Sequence, residues 1–235
     1  MNKNKHIALG ILMVAMFLVA SCGGGKPNYK VSLKNDTDSI SYYFGYFNGR
    51  QFASQGLDEI NTDAVAKGWQ DALKKVELDK SDEEVNMFFQ KYFAAAQTRL
   101  LEKNLKEGQD FLEENKKKSG VVTLTSGLQY KIIQDGSGDK PTMEDMVDIV
   151  YKGTLIDGTE FDNSNKHGDT VTFPVGGVVP GFSEALTLMS EGSIWEVYIP
   201  SDLGYGSNPR PGGLIKPNSV LIFELNLVRI KQKDE

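Results

Sequence analysis

Two aspartates, Asp157 and Asp162, lie close together in the segment YKGTLIDGTEFDNS, residues 151–164. Two carboxylates held at close range could act as a general acid and a base or nucleophile on a glycosidic bond. Asp157 precedes Gly158, however, and an Asp-Gly pair is favoured in a hairpin turn for backbone reasons alone. Asp162 follows Phe161 and is open to three interpretations: a catalytic acid or base, a metal ligand, or a hydrogen-bonding residue.

Nucleophilic and metal-dependent chemistry would need partners that the sequence does not supply. A serine, threonine or cysteine nucleophile is usually activated by a histidine, and His167 is the one histidine after residue 21. The sequence contains no G-x-S-x-G, H-E-x-x-H, P-loop or dinucleotide-binding pattern. A zinc site needs three or four nitrogen or sulfur ligands close together. The sequence therefore predicts neither a metal nor a cofactor.

Aromatic and apolar side chains instead accompany the turns of the C-terminal half. Each of these residues taken alone is more simply interpreted as part of a core. Together they could line an apolar pocket beside Asp162. The set comprises Tyr151, Phe161, Phe173, Val178, Val179, Phe182, Tyr205, Leu214, Ile215 and Phe223.

The first residues have the pattern of a secretory leader. Basic residues at Lys3 and Lys5 precede an apolar run over residues 7–20, which is typical of a signal peptide. Its last residues, VASC, resemble a bacterial lipobox, so we expect residues 1–21 to be removed and Cys22 to carry lipid. The alternative is a plain signal peptide with a buried Cys22. Residues 22–35 would then be the lipidated cysteine and a flexible tether, starting with GGGKPN.

The charge balance bears on the partners. The whole chain has a net charge of -6, and loss of Lys3 and Lys5 with the leader makes it -8. Because a strongly acidic protein is repelled by phosphate backbones, we expect no nucleic acid partner. Membrane attachment would depend on the lipid at Cys22, which predicts a lipid-anchored protein of the bacterial cell envelope, facing the periplasm or the surface of an outer membrane.

Residues 36–119 have a helical pattern. Asp38 or Ser39 is a candidate cap for a first helix, and Thr62 for a second. Ser81 and Glu84 form a capping-box pattern that begins a long third helix, which could extend to Lys118. The second half of that helix is charged on all sides, which is typical of a helix that bridges domains through solvent.

After Gly120 the hydrophobic period changes from helical to alternating. Alternation over residues 128–133, 147–155, 195–199 and 221–227, with turn residues between, predicts an antiparallel sheet. In PGFSEALTLMSEG, one short helix can lay Phe182, Leu186 and Met189 on that sheet. The fold class is therefore α+β: an antiparallel sheet with a short helix, preceded by an all-helical domain and a long connecting helix.

Four motifs make the C-terminal half recognisable. VDIVYKGTLIDGTEFDNS, VVPGFSEALTLMSEG, VYIPSDLGYG and IKPNSVLIFELNLVRI, in this order, resemble the FKBP-type peptidyl-prolyl cis-trans isomerases. The resemblance implies an isomerase domain at residues 120–235, with a half-barrel sheet wrapped around the short helix. The helical part resembles the Mip and FkpA branch of that family, which implies that residues 36–119 are a dimerisation domain with a long linker helix.

The resemblance also implies roles for individual residues. Tyr151, Phe161, Asp162, Tyr205 and Phe223 would be catalytic. The proline-containing substrate would contact Phe173, Val178, Val179, Phe182, Leu214 and Ile215. The backbone N–H of Ile215 would hold a substrate carbonyl. Phe182 occupies a position where the family usually has tryptophan. His167 falls where an arginine commonly pairs with the aspartate, so we expect Asp162 to pair with His167 or with Lys166.

The predicted function is peptidyl-prolyl isomerisation during the folding of exported proteins, together with chaperone activity. Its partners would be unfolded or folding proteins that contain proline, a second copy of the chain, and macrolide inhibitors. A rival interpretation is a non-catalytic, client-binding chaperone whose pocket is vestigial. A purely structural surface lipoprotein is a third.

Overall fold

The computed structural model describes residues 31–57, 59–210 and 212–231. Cys22, the leader and most of the tether therefore lie outside the described residues, and their assignments stay predictions. The chain divides into two compact units after Tyr43, and the larger one, residues 44–235, holds everything beyond the start of the first helix. Within the described residues, no helix is both long enough and apolar enough to cross a membrane.

Three helices come first: α1 Asp36–Ser54, α2 Thr62–Leu73 and α3 Asp82–Asn115. Ser81 and Glu84 form the predicted capping box at the start of α3. The expected caps of the other two helices were wrong. The side chain of Asn35 accepts the N–H of Asp38 at 2.8 Å, and Asn61 caps α2. Asparagine, aspartate and serine are about equally good caps, and threonine is only slightly worse. Residue type alone therefore did not show at which of the neighbouring positions each helix begins.

The sheet is antiparallel throughout. Its strands are β1 Val121–Thr123, β2 Gln129–Gln134, β3 Met146–Thr154, β4 Glu160–Asn163, β5 Val171–Pro174, β6 Ile194–Ile199 and β7 Leu221–Ile230. Their order is β1-β2-β6-β7-β3-β4, and β5 also pairs with β3. The four alternating segments correspond to β2, β3, β6 and β7, as predicted. The three short strands were not predicted, because three or four residues are too few to show a period of two.

One short helix, α4 Pro180–Leu188, packs on this sheet. Its Ala185 and Leu186 are fully buried among sheet residues such as Ile149, Val197 and Leu225. Each such leucine or isoleucine contributes roughly 1.5–3 kcal/mol by leaving water. The sheet and α4 therefore form the half-barrel with one short helix that the family resemblance implies.

The second half of α3 differs from the expectation of a helix surrounded by solvent. It packs against the sheet domain, and both Gly108 and Asn115 are buried. The side chain of Asn115 donates to Gln129 Oε1 at 3.0 Å, and Gln129 donates to the carbonyl of Leu112 at 2.9 Å. The hydropathy pattern of α3 could not predict this contact, because the residues buried in it are amides and a glycine. Hydropathy scales treat these residues as polar or neutral.

Asp148 joins three strands of the sheet. Its carboxylate accepts a hydrogen bond from Thr172 of β5 at 2.6 Å and one from Arg229 of β7 at 2.7 Å. Burial by itself raises the pKa of Asp148, but these hydrogen bonds and the charge of Arg229 outweigh it and hold the pKa below its ordinary value. The ionised form of Asp148 is thus favoured by folding.

We expect Asp148→Asn to lower the free energy of unfolding at pH 7 by about 1–3 kcal/mol, because two strong hydrogen bonds to a charge are weakened. A depressed folded-state pKa gives stability that is present above the unfolded pKa, about 3.9, and is lost as pH falls through the folded value. The difference between variant and wild type should therefore shrink below about pH 4 in urea titrations. Glu144→Gln, at an exposed carboxylate, is the control, and an unchanging difference across pH would contradict the prediction.

Candidate active site

A cavity of about 700 Å³ opens between the sheet and α4. Its lining comes from β3, β4, β5, β7 and α4, from the segment between β5 and α4, and from the loops between β6 and β7. The structure brings together around it every residue that the sequence predicted for the site. These are Tyr151, Phe161, Asp162, Phe173, Val178, Val179, Phe182, Tyr205, Leu214, Ile215 and Phe223. Their proximity is a structural fact, whereas their individual roles stay predictions.

The base of the cavity is a cluster of aromatic rings centred on Phe223. Its ring lies 5.0 Å from that of Phe182 at 84°, and 5.4 Å from that of Phe161 at 88°. The ring of Tyr151 lies 6.2 Å away. Edge-to-face pairs at such distances are the arrangement that aromatic quadrupoles favour. The rings come from β7, α4, β4 and β3, so only the folded sheet creates this surface.

Tyr151 and Asp162 provide the polar edge of the cavity. The Tyr151 hydroxyl donates to Asp162 Oδ2 at 2.8 Å, and the N–H of Asn163 donates to the other carboxylate oxygen at 2.9 Å. Burial, and then the hydrogen bond to the carboxylate, raise the pKa of Tyr151. The tyrosine therefore keeps its proton at physiological pH and acts as a fixed donor.

The predicted partners of Asp162 have different outcomes. The Lys166 amino group lies 3.2 Å from Glu160 Oε1, so this lysine pairs with another carboxylate. The side chain of His167 lies outside the described residues, and its pairing with Asp162 stays a prediction. The hydrogen bond from Tyr151 was not predicted, because nothing in the sequence shows that two residues on different strands meet.

Asp157 does not line this cavity. Its carboxylate accepts the N–H of Thr159 at 2.9 Å, and Gly158 adopts a positive φ of 82° in the same turn. The side chain thus stabilises the turn, as the Asp-Gly pattern indicates. The structure gives no support to a pair of catalytic carboxylates formed with Asp162.

The outer wall of the cavity is more open. Tyr205 and Leu214 are 48% and 53% exposed. Ile215 is half-buried, and its N–H donates to no acceptor among the described residues. An unused N–H beside an apolar cavity is suited to a substrate carbonyl, because a polar donor covered by a ligand needs an acceptor.

Four further lining residues were not predicted. They are Gly177, Pro209, Arg210 and Gly213. The segment NPRPGG has the composition of a turn, and composition does not show what a turn surrounds. Arg210 brings a positive charge to the wall of the cavity, and no sequence pattern indicated that position.

An aromatic pocket between a half-barrel sheet and a short helix is typical of prolyl isomerases, so the fold and the cavity indicate that class of protein. A family model described as FKBP-type peptidyl-prolyl cis-trans isomerase matches residues 138–228. A second, described as the domain amino terminal to FKBP-type peptidyl-prolyl isomerase, matches residues 37–132.

Individual proteins agree with this class. The outer membrane protein MIP of Legionella longbeachae is 46% identical over 86% of this chain and 88% of its own length. The peptidyl-prolyl cis-trans isomerase Mip of Coxiella burnetii is 36% identical over 97% of this chain and 100% of its own. The crystal structure of FkpA from Escherichia coli, 33% identical, superposes with a TM-score of 0.61 over 85% of this chain and 99% of that one.

The chain belongs to the FKBP-type peptidyl-prolyl cis-trans isomerase family, in its Mip and FkpA branch. The predicted family, α+β fold and enzymatic class are confirmed. It is therefore a peptidyl-prolyl cis-trans isomerase that acts in protein folding, and the interpretation as a non-catalytic chaperone has no better support.

Proposed function

We propose that the aromatic cavity is the catalytic site and that it binds the proline ring of a folding polypeptide. The convergence of four aromatic rings, from Tyr151, Phe161, Phe182 and Phe223, supports this most directly. The surface is apolar and large enough for a proline ring with its neighbours. The polar groups at its edge can orient the chain on both sides of the ring.

Rotation about an X-Pro bond needs no covalent chemistry. The planar amide is held by resonance, with a barrier of roughly 18–20 kcal/mol. In the twisted transition state this resonance is lost and the carbonyl becomes less polar. An apolar site therefore favours the twisted form over the planar one, and gripping the ring lets binding energy act on the rotation.

The polar residues are assigned electrostatic and positioning roles. The Ile215 N–H holds a substrate carbonyl. Tyr205, at the exposed wall, provides a second donor. Asp162 directs negative potential toward the reacting amide and fixes the ring of Tyr151. Proton transfer is not part of this mechanism, because rotation about the X-Pro bond makes and breaks no covalent bond.

The proposal is tested with a proline-containing peptide in a protease-coupled assay on the full chain in detergent. Asp162→Ala should lower kcat/KM about 10- to 100-fold, because it removes the carboxylate and leaves a buried hydroxyl unpaired. Tyr151→Phe removes only the hydroxyl and should cost about fivefold, which corresponds to one hydrogen bond. Ile133→Ala, on an exposed side chain of β2, is the control.

The double variant of Asp162 and Tyr151 completes the test. If the two residues act through their hydrogen bond, the combined loss should be smaller than the product of the single losses. Wild-type turnover at the uncatalysed rate would refute the catalytic proposal and favour the chaperone interpretation.

We place the enzyme in the bacterial cell envelope, acting on exported proteins that contain proline. The support is the leader pattern before Cys22 and the name of the Legionella longbeachae relative, an outer membrane protein. Metabolic labelling with a radioactive fatty acid should mark the wild-type chain and leave Cys22→Ala unlabelled. The apolar cavity is also a site for macrolides, which would compete with the peptide.

We further propose that the N-terminal helices pair with a second copy of the chain and provide a surface for clients. Large aromatic side chains on these helices are 50–63% exposed, which is unusual for a face that stays in water. The group includes Phe44, Phe47, Trp69, Phe88 and Phe89. Sedimentation of the full chain should give the mass of a dimer, and a monomer across micromolar concentrations would contradict the pairing.

A further inference from the structure

The segment 212–220 forms part of the cavity wall, and we call it the rim segment. It carries Leu214 and Ile215 of the lining and contains neither helix nor strand. An irregular segment of this length has few hydrogen bonds of its own to fix its conformation. The position of the Ile215 N–H therefore depends on what the rim segment contacts.

Helix α3 contacts the rim segment through two hydrogen bonds of opposite direction. The side chain of Asn104, on α3, donates to the carbonyl of Pro217 at 2.8 Å. The side chain of Asn218, on the rim segment, donates to the carbonyl of Leu101 at 3.1 Å. Both side chains are partly buried at this contact.

Gly108 permits the close approach. A Cβ at this position would lie 2.9 Å from Val220 Cγ2, closer than such atoms normally come. Residues 101, 104 and 108 follow the spacing of one helix face. The sequence of α3 is thus suited to touch the rim segment at three successive points.

Asn218 also reaches a second part of the cavity wall. Its backbone N–H donates to the carbonyl of Gly206 at 2.8 Å, next to Tyr205. Its φ is 59°, a left-handed conformation that asparagine tolerates better than most residues. One residue therefore connects α3, the rim segment and the loop that carries Tyr205.

A second cavity of about 330 Å³ lies between α3 and the rim segment, lined in part by Asn104, Gly108, Lys216 and Val220. The two hydrogen bonds and the close approach at Gly108 therefore fix the relative position of α3 and the rim segment.

We infer that α3 positions the catalytic site, with Asn104 and Asn218 as positioning residues that hold the rim segment and the Ile215 N–H against the substrate. The helix is thus a structural part of the active site in addition to connecting the domains. This inference rests on the proposed function, because it requires the cavity to be the site of isomerisation.

The test uses the full chain with Asn104→Asp, Asn218→Asp and the double variant. Aspartate keeps the shape and, at position 218, the tolerance of positive φ, but it replaces the donor with an acceptor that faces a carbonyl. The double variant should lower kcat/KM for a short peptide about tenfold, since small displacements of positioning groups have large effects on rate. Asn86→Asp, at an exposed site on the same helix, should leave it unchanged.

Hydrogen exchange separates positioning from general destabilisation. Amides 218 and 219, which donate to Gly206 and Lys216, should exchange faster in the double variant. The amides of Leu225 and Leu227 in β7 should exchange at the wild-type rate. Faster exchange throughout β7 would instead indicate loss of global stability and would overturn the inference.

A second variant reaches the same contact without altering a hydrogen-bonding group. Gly108→Leu places a side chain against Val220 and should lower kcat/KM in the same way. Gly68→Leu is its control, because nothing lies within 4 Å of a Cβ at that helical position. Wild-type kcat/KM in both the double variant and Gly108→Leu would overturn the inference.

The cavity variant Asp162→Ala distinguishes a failure of the inference about α3 from a failure of the proposed function. If Asp162→Ala lowers turnover while the contact variants do not, only the inference about α3 is wrong. If Asp162→Ala also leaves turnover intact, the catalytic site itself lies elsewhere.

Discussion

Phe223→Ala is expected to lower kcat/KM by at least about 100-fold, and to lower the free energy of unfolding by about 3–5 kcal/mol. Phe223 is 5% exposed, and its ring touches the rings of Phe182, Phe161 and Tyr151. Truncation therefore removes the base of the cavity and leaves three rings without their shared partner. Activity is measured with the peptide assay and stability by urea denaturation.

Two variants separate the effect on the site from the effect on stability. Leu225 is fully buried on the same strand, and Leu225→Ala should lower the free energy of unfolding by a similar amount, about 2–5 kcal/mol. Because Leu225 does not line the cavity, each folded molecule of this variant should keep its turnover. Phe223→Leu keeps most of the volume and should cost less than about 1.5 kcal/mol while still losing activity. Equal kinetic losses in Phe223→Ala and Leu225→Ala would mean that the ring has no special role.

Gly153→Ala is expected to disable the site although Gly153 has no functional group. A Cβ there would lie 2.6 Å from Phe161 Cζ and 2.8 Å from Phe223 Cε1. Both rings would have to move to make room for the new methyl group. Overpacking of this kind costs about 1–3 kcal/mol in stability, and we expect kcat/KM to fall at least about tenfold because displaced groups no longer fit the transition state.

The control for this prediction is Gly68→Ala on α2, where nothing lies within 4 Å of the new Cβ. In a helix interior that change should stabilise by roughly 0.5–1 kcal/mol. A second change, Phe161→Leu, should restore much of the stability of Gly153→Ala by making room, without restoring activity. Wild-type kinetics for Gly153→Ala would show that the two rings can shift freely.

The sequence indicated much of the fold and the members of the site. Long alternating segments predicted β2, β3, β6 and β7, and the capping box at Ser81 predicted the start of α3. The site residues were identified through a resemblance to a family, since apolar residues such as Val178 have no chemical signature of their own. Arg210 lies in a turn whose composition is ordinary, so no such signal existed for it.

The sequence by itself determined the family and the α+β class, because these depend on local patterns and residue types. Tertiary structure alone decided that Tyr151 donates to Asp162, that Gly153 makes room for two rings, and that Asn104 and Asn218 join α3 to the rim segment. Each of these contacts links residues on different elements. Their geometry depends on strand register and helix docking, which arise only when the whole core is packed.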